Sequence, residues 1–278
     1  MNALKIGNHN FTFPQSWKEV TRKQYKNIAP WIMIDTSANR TIVMMSLVQE
    51  KPKELKKALE NVIKTHDHES NVAWQILRLM DFAYYTRKVD PTSKIQELRE
   101  VAPIIPDFKY KGVTYLLPKH NLFDTTINEW TYINAYLKGF LNNKPENIIK
   151  LVATICRPSK GKKEMNSEEF DGFPRITFNP ETIDRRAEKL ENVPMYVKHA
   201  VLDYVLRSGE FLKKRYGVMF KGQSSDGNSY GWEGSITQLA ESGVFGTEVQ
   251  VRNTLIHKCC RYISQKIIEA KKRKEKDK

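Results

Sequence analysis

The sequence begins with a block that recurs later in the chain. In this block FTFP at residues 11–14 is followed, seven positions after its proline, by TRKQY at residues 21–25. The sequence YLLP at residues 115–118 is followed eight positions after its proline by TINEW at residues 126–130. Each block is typical of a strand, a proline stop, a short loop and a helix that begins at a threonine. The Thr-x-x-Gln and Thr-x-x-Glu spacings predict capping boxes. In a capping box the threonine hydroxyl accepts from the backbone N–H three residues on, and the Gln or Glu side chain reaches back to the threonine N–H.

A short hairpin is predicted before each block. Apolar residues alternate on both sides of the turn at residues 7–10 and of the turn at Lys111-Gly112, which is the sequence signal of a hairpin. A two-stranded hairpin is marginally stable alone, so the two hairpins either pair with each other or each lie on a helix. The repeated order indicates an internal duplication of a hairpin–helix module. Chance is the alternative, because a proline followed by a capped helix is a common combination.

Apolar residues at helical spacing dominate the rest of the chain. We therefore predict a mainly α, bundle-like helical protein with two small β-hairpins. Residues 1–158 form the predicted duplicated hairpin–helix region, and residues 176–278 form a helical C-terminal region with a basic tail. Residues 159–175 are polar, charged and glycine-bearing, which indicates a surface loop or a domain linker. An insertion at the edge of one domain explains the same composition.

The composition favours a globular protein that contacts polyanions. The chain has 278 residues and a formal charge of +14 at pH 7, a balance that attracts nucleic acid, anionic membranes or acidic proteins. No run approaches the roughly 18 apolar residues that span a bilayer, and no secretory signal is visible at the start. The three cysteines cannot all pair within one chain, so we expect a reducing, cytoplasmic setting.

No motif of the chain predicts catalysis or a bound metal. The sequence HKCC at residues 257–260 places His257 and Cys260 on one helix face, but a structural zinc site needs four ligands and the sequence has no second cluster. Nucleophile elbows, phosphate-binding loops and dinucleotide fingerprints are absent from the sequence. We therefore expect structural cysteines and a protein that is not an enzyme and needs neither metal nor cofactor.

Two surfaces are candidates for binding. The basic tail offers phosphate contacts that would be sensitive to salt and independent of sequence, through Lys271, Lys272, Arg273, Lys274 and Lys276. The alternative explanation is that cations are favourable at the end of any helix. A short amphipathic helix lies between Trp232 and Phe245, and these two side chains, with Trp130 of the second capped helix, are candidate anchors for a protein partner. The alternative is that they attach the helix ends to the core.

The C-terminal block and the second hairpin–helix block together resemble a family. Gly-Trp at residues 231–232, Leu-Ala at 239–240, GVFG at 243–246 and a long charged helix follow one another. The Leu-Pro, capped-helix and Arg157-Pro158 order has the same character. These features resemble uncharacterised morphogenesis proteins of tailed bacteriophages and prophages, encoded among virion genes, and the resemblance covers about residues 110–158 and 229–278. The amino-terminal block shares these features only in part.

The resemblance implies a non-enzymatic tail-assembly or neck-assembly factor, or a minor structural component of the virion. Such a protein acts through protein–protein contacts in the cytoplasm of the bacterial host or within the virion. Its expected partners are other virion or assembly proteins, with self-association left open, and no membrane. A sequence-independent nucleic-acid-binding protein is the alternative function, because the chain is strongly basic.

Overall fold

The structure is a computed structural model that describes residues 2–6, 9–14, 19–32, 36–48, 52–64, 102–220 and 231–276. The chain divides into two compact units, residues 1–95 and residues 96–278. The described residues are mostly helical, which confirms the mainly α prediction, and they include short antiparallel sheets.

The first unit combines a hairpin with three described helices. Strands β1 (Asn2–Ile6) and β2 (His9–Phe13) pair in antiparallel register. The helices are α1 (Arg22–Ile28), α2 (Ser37–Leu47) and α3 (Pro52–Lys64). Their buried side chains form an apolar core that includes Phe11, Phe13, Tyr25, Ile28, Met44, Leu47 and Leu55.

The predicted capping box of the first block is present. The Thr21 hydroxyl accepts from the N–H of Gln24 at 3.2 Å, and the Gln24 Oε1 accepts from the N–H of Thr21 at 2.9 Å. The Gln24 amide group also donates to the carbonyl of Leu47 at 3.2 Å. One side chain therefore starts α1 and ties it to the end of α2.

The second unit contains a three-stranded antiparallel sheet. Strands β3 (Asp107–Tyr110) and β4 (Val113–Leu116) form the predicted hairpin, and β5 (Arg157–Pro158) adds to the free edge of β4. Lys111 and Gly112 both have positive φ, 45° and 81°, as a two-residue hairpin turn with the right-handed strand twist requires. The sequence pattern predicts Arg157-Pro158 only as the end of a helix.

Nine described α-helices complete the second unit. Helix α5 is central: it packs against α4, α7 and α8, and its last residues are fully buried. The helices are α4 (Ile127–Leu141), α5 (Asn147–Ile155), α6 (Lys162–Met165), α7 (Ile183–Leu190), α8 (Met195–Arg215), α9 (Gly217–Phe220), α10 (Gly231–Glu241), α11 (Glu248–Arg252) and α12 (Ile256–Lys276). Short 3₁₀ turns lie at His120–Leu122 and Pro180–Thr182.

Residues 159–175 lie within the second unit. A bridge pairs Ser159 with Arg175, and the N–H of Lys160 donates to the carbonyl of Pro174 at 2.8 Å. Between these ends, the Lys160 ammonium pairs with Asp171 at 2.7 Å. The segment therefore leaves and returns to one place, as an insertion at the edge of one domain does, whereas the boundary between the two units lies at residues 95–96.

One finer prediction meets a different outcome, and another is not confirmed. The final helix, predicted to run unbroken from Thr247, is divided into α11 and α12 by residues 253–255, where the backbone turns to pair with residues 125–127. The duplication of a hairpin–helix module is not confirmed and stays a prediction. Among the described residues, the second hairpin pairs with a third strand and the first hairpin does not.

Candidate functional site

The basic tail forms the exposed end of α12. Lys271, Lys272, Arg273 and Lys274 are exposed, and the side chain of Lys276 lies outside the described residues. In the part of the chain that the structure describes, none of these four cations pairs with a carboxylate. The nearby Glu269 is already held by Lys266 at 3.0 Å. The helix end therefore presents a run of positive charge that can contact phosphates.

The candidate anchor Trp130 is a core residue. Only 3% of its surface is exposed, and its ring makes an edge contact with the ring of Trp232, with centroids 6.3 Å apart. The half-buried Trp232 contacts Phe220 in the same way at 6.2 Å. The prediction of Trp130 as a partner contact is therefore wrong, because its side chain is covered by the protein itself. The contact between the two tryptophans fits the alternative, in which they join α10 to α4.

Phe245 is half-buried and packs on α12. Its ring meets the edge of Tyr262 with centroids 5.6 Å apart, so it also attaches a helix end. Gly243 and Gly246 on either side have φ of +67° and +81°, which places the intervening residues in a tight reversal. The side chain that this reversal exposes is Val244, with 52% of its surface accessible.

An open groove lies between α4, α11 and residues 177–180. Val249, with 68% of its surface exposed, is its most exposed apolar side chain. The guanidinium of Arg252 is fixed at one side by Glu233 at 2.7 Å and Glu248 at 2.6 Å, and these carboxylates raise its pKa. The remaining lining residues are Asn128, Thr177, Phe178, Asn179, Pro180 and Asn253.

A cluster of buried charges lies beneath the start of α4. Arg175 donates through Nε to Asp124 at 3.2 Å, through one terminal nitrogen to Glu129 at 3.0 Å, and through both terminal nitrogens to the carbonyls of Ile155 and Asp124, each at 3.1 Å. Burial opposes the charge of Arg175, but Glu129 and Asp124 outweigh it and raise its pKa. Every nitrogen of this side chain therefore has a partner.

Arg157 completes the same cluster. It donates to Glu129 at 2.8 Å and to the carbonyl of Ile176 at 2.5 Å. Its Nε is buried and has no partner among the described residues, and burial lowers its pKa to about 10. Two carboxylates thus neutralise two guanidiniums in the interior. Because both acids are occupied by arginines, the arrangement supports structure and offers no free general base.

No sequence pattern pointed to this cluster. Its members are separated by as many as 51 residues, between Asp124 and Arg175, and no spacing rule joins charges so far apart. Arg175 lies at the end of the segment predicted to be a loop or linker. Its burial shows that this segment ends inside the core.

His257 is the centre of a second buried polar site. Its Nε2 lies 2.6 Å from the carbonyl of Asn121, and its Nδ1 lies 2.9 Å from the hydroxyl of Tyr216. A carbonyl only accepts, so Nε2 carries the proton and Nδ1 accepts from Tyr216. Burial lowers the pKa of His257, and the charges of Arg215 and Arg261 lower it further, while the bond to Asn121 opposes them.

The cysteines beside His257 are buried, as predicted. Burial raises the pKa of the Cys259 and Cys260 thiols to about 12 and raises that of Cys156 as well, so these thiols are poor nucleophiles. Among the described residues, no group of three or more His, Cys, Asp or Glu side chains is placed to hold a metal ion. Within the same residues, no helix combines the length and apolar character needed to cross a membrane.

Comparison with protein-family models, with curated proteins and with solved structures finds no match to this chain.

Proposed function

We propose that this chain is a non-enzymatic morphogenesis protein of a tailed bacteriophage, either a tail- or neck-assembly factor or a minor structural component of the virion. The proposal starts from the resemblance of residues 110–158 and 229–278 to such proteins. The structure joins these two stretches: Ile127 donates its N–H to the carbonyl of Thr254 at 2.8 Å, and Ile256 donates to Thr125 at 2.9 Å. The two stretches that carry the resemblance therefore form one folded region.

The observation that carries a protein-binding role is the groove around Val249. A partner that covers an apolar side chain with 68% of its surface exposed removes that surface from water, which is favourable. Phe178 and Pro180 extend the apolar lining, and the amides of Asn128 and Asn253 supply polar groups at its edge. A segment of another virion or assembly protein fits such a mixed surface. In this proposal the chain acts in the host cytoplasm or in the particle, without cofactor or membrane.

Affinity purification from infected cells tests the proposal. We expect a tagged chain to retain a virion protein at fixed stoichiometry, and Val249→Asp to release that protein because the change places a charge in the interface. Leu141→Asp is the matched control. Its side chain is 59% exposed at the far end of α4, about 20 Å along the helix from Asn128.

Either of two results would contradict the proposal. The first is that no virion protein is retained by the wild-type chain. The second is that Val249→Asp and Leu141→Asp release the partner equally, which would move the binding surface away from the groove. Mass spectrometry of purified particles then separates a virion component, present at fixed copy number, from an assembly factor that is absent from the particle.

A second candidate function is sequence-independent binding of nucleic acid. The observation that favours it is the exposed run of Lys271, Lys272, Arg273 and Lys274 at the end of α12. Affinity should fall steeply with salt, because each phosphate contact releases counterions. Deletion of the residues after Ala270 should flatten that dependence. Weak binding that does not change on this deletion would rule out the tail as the nucleic-acid contact.

A further inference from the structure

Phe123 is an exposed aromatic side chain on a firmly held turn. It has 39% of its surface accessible. The centroid of its ring lies 4.7 Å from that of His257 and 5.1 Å from that of His120. The residue before it, Leu122, donates its N–H to the hydroxyl of Tyr204 at 3.2 Å, and that hydroxyl donates to the carbonyl of Lys119 at 2.7 Å. The ring is therefore presented from a fixed backbone.

The backbone of this turn is strained as well as fixed. Asn121 and Leu122 have φ of +54° and +63°, a region that non-glycine residues rarely occupy. The bond from His257 to the Asn121 carbonyl and the bond from Leu122 to Tyr204 hold the two residues there. Strain of this kind persists where the surroundings enforce it, and it is concentrated at functional positions.

Cations from two helices, α8 and α12, act on His257, whose ring Phe123 contacts. Arg261 lies one helical turn after His257, on the same face of α12. The exposed Lys258 directly follows His257 in the chain. Arg215 directly precedes Tyr216, whose hydroxyl bonds His257. Within the part of the chain that the structure describes, none of these three cations pairs with a carboxylate. The charges of Arg215 and Arg261 both act on the imidazole of His257.

We propose that single-stranded nucleic acid binds here, with one base stacked on Phe123 and the neighbouring phosphates at Arg215, Lys258 and Arg261. We call these four residues the Phe123 surface. Exposed aromatic rings together with cations that have no carboxylate partner are a usual means of holding a single strand without reading its sequence. A single strand is favoured over a duplex because the bases of a duplex are stacked on each other and cannot reach the ring. This inference rests on the second proposed function and adds a stacking site to it.

A pair of oligonucleotides that differ only in their bases tests the inference. Fluorescence anisotropy compares a labelled oligothymidylate with an abasic deoxyribose-phosphate strand of the same length and charge. We expect the wild-type chain to bind the oligothymidylate about 5- to 150-fold more tightly, the range that one stacked base contributes. Phe123→Leu should reduce this preference to near unity and leave the salt dependence unchanged.

The double change Arg215→Gln with Arg261→Gln should weaken the binding of both strands. It should also lower the salt slope by about 1.4, because each of the two phosphates that is no longer neutralised accounts for about 0.7. Leu141→Ala, another exposed apolar change in the same unit, is the control and should keep the base preference. Circular dichroism checks that each variant is folded.

The outcomes separate this inference from the function on which it rests. Failure of the wild-type chain to bind either strand would remove both. Equal affinity for the two strands would remove the stacking site and leave non-specific binding by the tail. A preference that survives Phe123→Leu would move the stacking site elsewhere, and tighter binding of a duplex than of a single strand would overturn the inference. The first comparison needs no variant, so it stands even if a substitution unfolds the chain.

Discussion

Glu129 occupies a position where two structural roles are available to one side chain. Its place three residues after Thr126 predicts a carboxylate that reaches back to cap the helix. In the structure only the threonine half of the cap forms, with the Thr126 hydroxyl accepting from the Glu129 N–H at 3.1 Å. The carboxylate instead binds Arg157 and Arg175. Without it, Arg157 would be buried without a counter-charge and Arg175 would keep only Asp124, so the interior bonds prevail over the local one.

Arg175→Met should destabilise the second unit by about 3–5 kcal/mol, because it leaves the carboxylates of Asp124 and Glu129 buried with one partner fewer. Urea denaturation followed by circular dichroism measures the change. Lys213→Met is the control: it breaks an exposed pair with Glu210 and should cost less than about 1 kcal/mol. An effect of Arg175→Met no larger than that of the control would show that the cluster contributes little to stability.

His257 should make stability depend on acidity. Its pKa is lowered in the folded chain, so the unfolded chain binds the extra proton more readily. The contribution of His257 to the free energy of unfolding should therefore be complete above about pH 6.5, the usual pKa of histidine. It should fall as the pH drops below that value. Denaturation midpoints between pH 5 and 8 measure this. His257→Gln should reduce the dependence, and His199→Gln on α8 should retain it.

A dependence that is the same in the wild-type chain and in His257→Gln would assign the acid sensitivity to other groups.

At the scale of elements, local sequence signals correctly predicted two helix starts and one helix end. Thr21 caps α1, Thr126 caps α4, and Gly243 has the positive φ expected after α10. These signals act within one turn of chain, so the sequence contains all of the interacting groups. The addition of β5 to β4 and the break between α11 and α12 depend on distant chain segments. No local pattern predicted either.

Thr126→Ala should cost about 1 kcal/mol, with a range of about 0.5–2, because the first turn of α4 loses its side-chain cap. Thermal or urea denaturation of the full chain measures the loss. Thr237→Ala is the matched control, since this exposed hydroxyl lies within α10 and makes only a 3.3 Å bond to the carbonyl of Glu233. Equal effects of the two changes would mean that the Thr126 hydroxyl does not stabilise the helix start.

At the scale of the whole molecule, the division into two compact units has a direct consequence. Residues 96–278 contain the buried charge cluster, the three-stranded sheet and the helices packed around α5. A fragment of these residues should therefore fold cooperatively by itself. Its far-ultraviolet circular dichroism and a single sharp denaturation transition would show this. A fragment that shows no cooperative transition would mean that residues 1–95 are required for its fold.

The net charge of +14 is spread over the chain, and the second proposed function assigns only part of it to nucleic acid. Neutralising Lys271, Lys272 and Lys274 to Gln should lower the salt slope for single-stranded DNA by about 2, at about 0.7 for each phosphate. Neutralising three exposed lysines of α3, Lys53, Lys56 and Lys57, in the same way should leave the slope unchanged. Equal changes in both variants would indicate binding by net charge alone.

The helical class, both hairpins, the threonine caps and the basic end of the last helix could all be predicted from the amino-acid sequence. They follow from periodicity, turn residues and charges that act over a few positions. The burial of Trp130, the binding of two arginines by Glu129 and the exposure of Phe123 against the ring of His257 became known only from the folded chain. These outcomes depend on which distant segments pack together. A side chain can fit its local sequence pattern and still bind a buried partner from a distant part of the chain, because that interaction is stronger.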